Sequence, residues 1–235
     1  MNSITSVTLA SFCLILASCA QKWDATQQAA LSSVAVSAPV VKSDAYQKPA
    51  GKVDMGPAPV IAVPGGGFLA GAVVAGGYQL IVGGIGVTQQ SMYENTNKDA
   101  ISRVSGTVPA DLSQRIRKAV VKELDTHSFF KGKVRDASPN RLVVTIDSYG
   151  YARSSKVDGK ILMAPKMTGT FELLDAAGKS LLKKAITASA TSQSRPLEDF
   201  ANDRKLASTA FDEIIGSLAQ QIAAAIDLKA GVSEN

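Results

Sequence analysis

The chain has 235 residues, with 25 Lys and Arg, 20 Asp and Glu, one His and two Cys. Hydrophobic residues make up 46% and charged residues 19%, which is typical of a globular protein and excludes a fully disordered chain. One His and two Cys exclude a His-rich metal site, a four-cysteine zinc site and a disulfide framework. The length allows one ordinary domain plus extensions.

The first 18 residues carry no charge, and residues 4–18 form an apolar stretch. The stretch is short for a membrane span, but its length suits the hydrophobic region of a secretory signal. It ends in Leu16-Ala17-Ser18-Cys19. We therefore predict a signal peptide over residues 1–18, cleaved between Ser18 and Cys19. The first three residues lack the usual Lys or Arg, and a short buried helix is the alternative.

The tetrapeptide Leu16-Ala17-Ser18-Cys19 resembles the lipobox of bacterial lipoproteins. The resemblance implies that the Cys19 thiol takes a diacylglycerol and that its freed amine takes a further acyl chain in many bacteria. Two or more chains make membrane anchoring stable. Cleavage also removes Cys13, so the mature chain holds no second cysteine for a disulfide. Ala20, where an Asp marks inner-membrane retention in enterobacteria, resembles the outer-membrane class and implies the periplasmic face of that membrane.

Residues 19–62 read as a lipidated N-terminus and a flexible linker. The stretch after Cys19 is rich in Ala, Ser, Val, Gln and Pro and has no sustained helical or strand period. This composition predicts a mostly disordered tether. A flexible coil of that length holds a domain about 35–40 Å from the membrane on average.

Residues 63–87 form a glycine-rich apolar segment with nine of the 19 glycines. Small residues recur along it, and Gly67, Gly71 and Gly76 are the candidates for close backbone packing. Because glycine disfavours a helix by about 1 kcal/mol per residue in water, the segment needs a surface to fold against. We favour packing against its own domain. Contact with another copy or a partner protein, and insertion into lipid, are the alternatives.

From residue 88 to 227 the composition is that of an ordinary folded domain. A polar helix is predicted over 89–104, and residues 228–235 are predicted to be a disordered tail. Apolar residues at spacings of three and four predict two further helices, over 109–127 and 203–227. Residues rich in β-branched and aromatic side chains predict three strands, over 141–153, 161–174 and 180–190.

The turns complete the predicted fold. Residues 154–160 read as a polar turn, and Asp175–Lys179 reads as a hairpin loop with Gly178 in the left-handed region. Pro165 predicts an edge position or a strand start. The order predicts an α+β fold: a three- to four-stranded antiparallel sheet with two helices packed on one face. Residues 131–137 are the candidate fourth strand.

This order of elements, with the strand–Asp175-Ala-Ala-Gly-Lys179–strand hairpin, resembles several periplasmic lipoprotein families over residues 107–227. They are the lipopolysaccharide-assembly lipoprotein LptE, the auxiliary lipoproteins of ABC transporters for lipids, and the YajG-type lipoproteins. The resemblance implies a non-catalytic envelope protein and, for the transport families, a role in lipid or lipopolysaccharide transport.

No group of residues predicts an enzyme. His127 is the only histidine and reads as the C-terminal residue of a helix, where the helix dipole favours it. The glycines at 65–67 lack the Lys-Ser/Thr of a phosphate loop. The acidic residues Asp147, Asp158, Asp175 and Asp199 have no metal-loop spacing. We therefore predict no catalytic residues, no metal and no cofactor, with a periplasmic enzyme as the least favoured alternative.

Charge suggests one binding surface. Between Arg115 and Arg135 the sequence holds seven basic residues against two acidic ones. Arg115, Lys118, Lys122 and Lys131 are candidates for a patch that meets anionic lipid, and a solvated helix face is the alternative. The predicted partners are the membrane, through the lipid anchor, and an envelope protein or a second copy. Nucleic acid is not expected as a partner.

Overall fold

The computed structural model describes residues 22–50 and 92–232. Short helical segments lie at 92–96, Ser105–Thr107 and Thr191–Gln193. The main elements in chain order are α1 (Ala25–Ala30), β1 (Ala35–Val36), β2 (Val40–Val41), β3 (Tyr46–Gln47), α2 (Lys98–Val104), α3 (Leu112–His127), β4 (Arg141–Val157), β5 (Lys160–Leu174), β6 (Ser180–Ser189), α4 (Leu197–Asn202) and α5 (Arg204–Ala230). The α+β class predicted from the sequence is confirmed.

Strands β4, β5 and β6 form an antiparallel meander. Asp158 and Gly159 both have positive φ, 48° and 79°, and connect β4 to β5 in a two-residue turn, so the predicted turn over 154–160 is shorter than expected. The second hairpin agrees with the prediction. Gly178 has φ 79°, and the Asp175 carboxylate accepts the N–H groups of Ala177 and Lys179, each at 2.9 Å.

The remaining strands come from residues predicted to be a tether. Strands β1, β2 and β3 run parallel to β4 along its free side, with Ala35 opposite Arg141 and Tyr46 opposite Tyr149. The sheet therefore has six strands and is mixed, where three to four antiparallel strands were predicted. The tether prediction is wrong for residues 22–50. Each of these strands has only two residues, too few to display an alternating pattern.

Two further predictions about the sheet need correction. Residues 131–137 do not form the fourth strand, because the structure places only an isolated bridge there, between Val34 and Val134. Pro165 lies within β5, a central strand, opposite Tyr151. The missing N–H is tolerated because β6 pairs with β5 only as far as Lys166, and the Pro165 carbonyl accepts from Ala190 N at 3.0 Å.

The helices enclose the inner face of the sheet. α3 buries Leu112, Ile116, Val120 and Leu124, which form an apolar stripe with one residue at every fourth position. α5 is capped by Asp203 and runs from Arg204 to Ala230, so residues 228–230 are helical where a disordered tail over 228–235 was predicted. Side chains from both helices, from β1 and from the meander join one core cluster. Within the described chain, no helix combines the length and apolarity needed to cross a membrane.

Candidate functional site

The N-terminal end of the described chain is fixed to the C-terminal end of α5. The backbone N–H of Trp23 donates to the Lys229 carbonyl at 2.9 Å, and its side chain is only 4% exposed. The indole ring packs against Phe129, with ring centroids 5.9 Å apart. Gln28 Nε2 donates to the carbonyls of Trp23 at 3.0 Å and Ala230 at 3.2 Å. We call these contacts the N-terminal clasp.

A capping box begins the helix that follows the clasp. The Asp24 carboxylate accepts from Gln27 N at 2.8 Å, and the Asp24 N–H donates to Gln27 Oε1 at 3.1 Å. This exchange satisfies two backbone N–H groups at the start of α1. The sequence signal Asp-x-x-Gln, with the only tryptophan of the chain directly before it, could have identified the clasp.

The end of α5 is closed by Gly231, whose φ of 75° lies in the left-handed region. Val232 N donates to the Asp227 carbonyl at 3.0 Å, so the free carbonyls of the last turn are satisfied. The side chain of Lys22 lies close to this cap. A Cβ atom added to Gly231 would be only 3.0 Å from Lys22 Cδ. The N-terminal segment and the helix end are therefore in direct contact.

The loop after α3 completes this part of the surface. Phe129 N donates to Asp227 Oδ1 at 2.6 Å, and Val134 N donates to Asp125 Oδ1 at 3.4 Å. These two carboxylates are turned toward backbone N–H groups of the loop. The Lys133 ammonium lies 4.3 Å from the centre of the Phe129 ring, at the distance of a cation–π contact.

Lysines and exposed apolar side chains lie on the segments that meet at the clasp: the N-terminal segment, the loop after α3 and the end of α5. Lys131 lies on the loop next to the buried Phe130, and Leu228 and Val232 are 66% and 47% exposed at the end of α5. The clasp surface is defined as Lys22, Lys131, Lys133, Leu228 and Val232. Lysine carries a charged ammonium group on an apolar stem. This combination of side chains therefore suits contact with a surface where anionic groups cover an apolar layer.

The predicted basic patch does not form one surface. Arg115 Nη1 donates to Asp212 at 3.0 Å and to Ser208 at 2.8 Å, while its Nε donates to Asp111 at 2.8 Å. The hydrogen bond to Asp212, and after it the bond to Asp111, raises the pKa of Arg115 above its usual value. Arg115 therefore ties α3 to α5.

Distance along the helix separates Arg115 from the clasp. Asp212 is the α5 residue that binds Arg115, and Asp227 is the α5 residue at the clasp. They are 15 residues apart, or about 22 Å along the helix. Lys118 and Lys122 are exposed one helical turn apart on α3. Of the predicted patch, only Lys131 belongs to the clasp surface.

A shallow cleft of about 230 Å³ lies between α3 and the segment that follows it. Arg117 and Arg135 line it, but both are engaged by backbone carbonyls. Arg117 Nε donates to Val36 O at 3.0 Å, and Arg135 Nη2 donates to Gly132 O at 2.9 Å. The cleft therefore presents no guanidinium held ready for a ligand.

The candidate catalytic groups do not converge. His127 Nδ1 lies 2.7 Å from Thr126 Oγ1 and 3.8 Å from Glu123, on an exposed helix end. Asp147 pairs with Lys42, and Asp175 caps its own hairpin. In the described ranges, no group of three or more His, Cys, Asp or Glu side chains could hold a metal ion.

The other predicted site residues lie outside the described residues. They are Ser18 and Cys19 at the cleavage and lipidation position, and Gly67, Gly71 and Gly76 of the glycine-rich segment. The described chain leaves the sheet after β3 and resumes at residue 92.

No family model matches the chain, and no curated protein is significantly similar to it. A Xanthomonas campestris protein of the DUF330 family is 14% identical, with a TM-score of 0.36 over 51% of this chain and 62% of that one. A minor lipoprotein from Acinetobacter baumannii is 19% identical, with a TM-score of 0.35 over 51% of this chain and 84% of that one.

Lipoprotein GNA1162 from Neisseria meningitidis is 14% identical, with a TM-score of 0.24 over 82% of this chain and 99% of that one. The chain spans less than two thirds of the length of the first of these structures. Two of the three are named lipoproteins, but with TM-scores below 0.5 the likeness carries no argument about function. The case for function rests on this chain's own residues.

Proposed function

We propose that this protein is a lipid-anchored, non-catalytic binding or scaffold protein on the periplasmic face of a bacterial outer membrane. The observation that carries the proposal is the lipobox-like Leu16-Ala17-Ser18-Cys19, which stands four residues before the buried Trp23. Acyl chains on Cys19 attach the chain to a bilayer, at about 0.8 kcal/mol for each buried CH₂. Ala20 favours the outer membrane over the inner one.

The absence of catalysis is part of the proposal. In residues 22–50 and 92–232, each candidate acid or base has a local structural partner or an exposed position. A scaffold role needs only a stable domain at a fixed place. The single core cluster, closed at one end by the clasp, provides such a domain.

Acylation is tested by metabolic labelling with a fatty-acid analogue in a bacterial host. Wild type and Cys13→Ser should both incorporate label, because Cys13 lies in the segment that is removed. Cys19→Ser should incorporate none and should keep its signal peptide. Equal label on Cys19→Ser and wild type would contradict the proposal.

The choice of membrane is tested separately, by density separation of the two membranes in an enterobacterial host. Wild type should sediment with the outer membrane. Ala20→Asp should move the protein to the inner membrane, since Asp after the lipidated Cys is the retention signal there. Wild type in the inner-membrane fraction would refute the outer-membrane assignment and leave acylation intact.

A second candidate function is an accessory role in lipid or lipopolysaccharide transport. Lys118 and Lys122 favour it, because both are exposed on the same face of α3 and could meet phosphate groups. A pull-down with the tagged, membrane-retained protein distinguishes the two candidates. Co-purified transport proteins would support the accessory role, and recovery of the protein alone or as a homo-oligomer would support the stand-alone scaffold.

A further inference from the structure

We propose that the clasp surface rests on the headgroup layer of the membrane that holds Cys19, so that the C-terminal end of α5 faces the bilayer. This inference rests on the proposed function, because it takes Cys19 as the anchored residue. It adds an orientation and a lipid-contact surface, which the anchor alone does not specify.

The first step is the reach of the chain. Three residue steps separate Cys19 from Lys22, and consecutive Cα atoms lie at most about 3.8 Å apart, so the span is at most about 11 Å. A headgroup region is several ångströms deep on each side of a bilayer. Lys22 is therefore held at or just above the headgroups.

The second step is the rigid connection from Lys22 to the domain. The next residue, Trp23, is buried at 4% exposure and hydrogen-bonded to Lys229. The domain therefore moves together with Lys22, and only the three residue steps between Cys19 and Lys22 separate it from the anchor. Whatever surface surrounds Lys22 must lie nearest the bilayer, and that surface is the clasp surface.

The third step is chemical fit. Lys22 and Lys131 are exposed, and Lys133 is partly exposed above Phe129. Leu228 and Val232 add exposed apolar area at the C-terminal end of α5. Three acidic side chains share this end: Asp125 and Asp227 are turned to loop N–H groups, and Asp24 caps α1. Lys22, Lys131 and Lys133 supply the groups at this end that pair with anionic headgroups.

The test uses the full mature lipidated protein in vesicles that contain phosphatidylglycerol. Acylated Cys19 has no free thiol and Cys13 has been removed, so one added cysteine is the only labelling site. A fluorescent dye is placed at Leu228→Cys or, as the matched control, at Lys205→Cys. Both positions are exposed on α5, and 23 residues, or about 35 Å, separate them along the helix.

Lipids with a quencher on the headgroup should quench the dye at position 228 at least about threefold more than the dye at position 205. Equal quenching at both positions, or stronger quenching at position 205, would overturn the proposal. So would self-quenching at position 228 that grows with protein density, because a second copy would then cover this end. Protein that is recovered from the host without an acyl chain would refute the acylation in the proposed function, whereas acylated protein without the difference in quenching refutes only the orientation.

Charge reversal separates the clasp surface from the exposed face of α3. The double variant Lys131→Glu with Lys133→Glu should reduce quenching at position 228 by about half in anionic vesicles, and the effect should shrink at high salt. The double variant Lys118→Glu with Lys122→Glu should leave it unchanged. The reverse result would place the lipid contact on α3 and contradict the proposal.

Discussion

Replacement of Trp23 by alanine tests whether the chain just behind the anchor is part of the fold. A buried Trp→Ala change costs about 3–5 kcal/mol. The Trp23 Nε1 hydrogen has no acceptor in the described structure. Removing an unpaired buried donor offsets the loss in the free energy of unfolding by about 1–3 kcal/mol. We therefore expect a net loss of about 2 kcal/mol. Trp23→Phe is the matched control, since it keeps an aromatic ring against Phe129 and should cost less than about 1 kcal/mol.

The assay is urea unfolding of the mature chain with Cys19→Ser, followed by circular dichroism. With a slope of about 2 kcal/mol per molar urea, Trp23→Ala should lower the midpoint by about 1 M. Trp23 is the only tryptophan, so its fluorescence should be blue-shifted and protected from acrylamide in the unmutated chain. An unchanged midpoint together with water-exposed fluorescence would refute the clasp and restore the flexible tether.

Four further changes test other parts of the structure. Arg115→Met should lower the free energy of unfolding by about 1 kcal/mol, because it breaks ties between two helices, and should leave vesicle binding unchanged; reduced vesicle binding would contradict its structural role. Gly150→Ala should cost about 2 kcal/mol in urea unfolding, because its φ is 154° and the new Cβ would lie 2.3 Å from a carbonyl oxygen of β3; an unchanged midpoint would refute this pairing. Burial raises the pKa of Tyr151 to about 12, so its contribution to stability should be complete below pH 10 and lost as the pH rises from 10 toward 12. Absorbance of tyrosinate against pH measures this, and Tyr151→Phe should flatten the alkaline loss of stability. Gly71→Leu or Gly76→Leu should disrupt a close backbone contact, seen as lower thermal stability, lost association in sedimentation or altered vesicle binding; no change in all three would refute the burial of that segment.

The long elements of the fold were predictable because their signals are local and repeated. The stripe of α3 recurs over four turns, and the meander β4–β6 combines β-branched residues with turns that contain glycine. Asp203 marks the start of α5 through its N-cap contacts to Lys205 N and Leu206 N. Such patterns depend on neighbouring residues in the chain and need no knowledge of the tertiary structure.

The N-terminal strands were not predictable in the same way. β1, β2 and β3 are formed by pairs of residues, and their pairing with β4 is parallel and distant in sequence. Pro39 lies between the first two of them and removes a backbone donor. Their stability comes from contact with β4 and the core, so composition alone gave the appearance of a linker.

The basic patch shows which part of the candidate site could not be predicted from the sequence. Sequence proximity grouped Arg115 with Lys131, but the acidic partners of Arg115 include Asp212, 97 positions away in the chain. The clasp surface has the opposite character, since it joins Lys22 to Leu228 and Val232 from the two ends of the chain. No local pattern brings such residues together, and only the packing of α5 against the N-terminal segment does so.

The thickness of the water layer between the membrane and the domain tests most directly whether the chain behind Cys19 is folded against the domain. Neutron reflectometry of the lipidated protein on a supported bilayer measures that distance. With the clasp surface on the membrane, protein density should begin within about 11 Å of the headgroups, the span of three residues. A water layer of about 35–40 Å, the average reach of a flexible 43-residue tether, or no retained protein layer at all, would contradict this prediction.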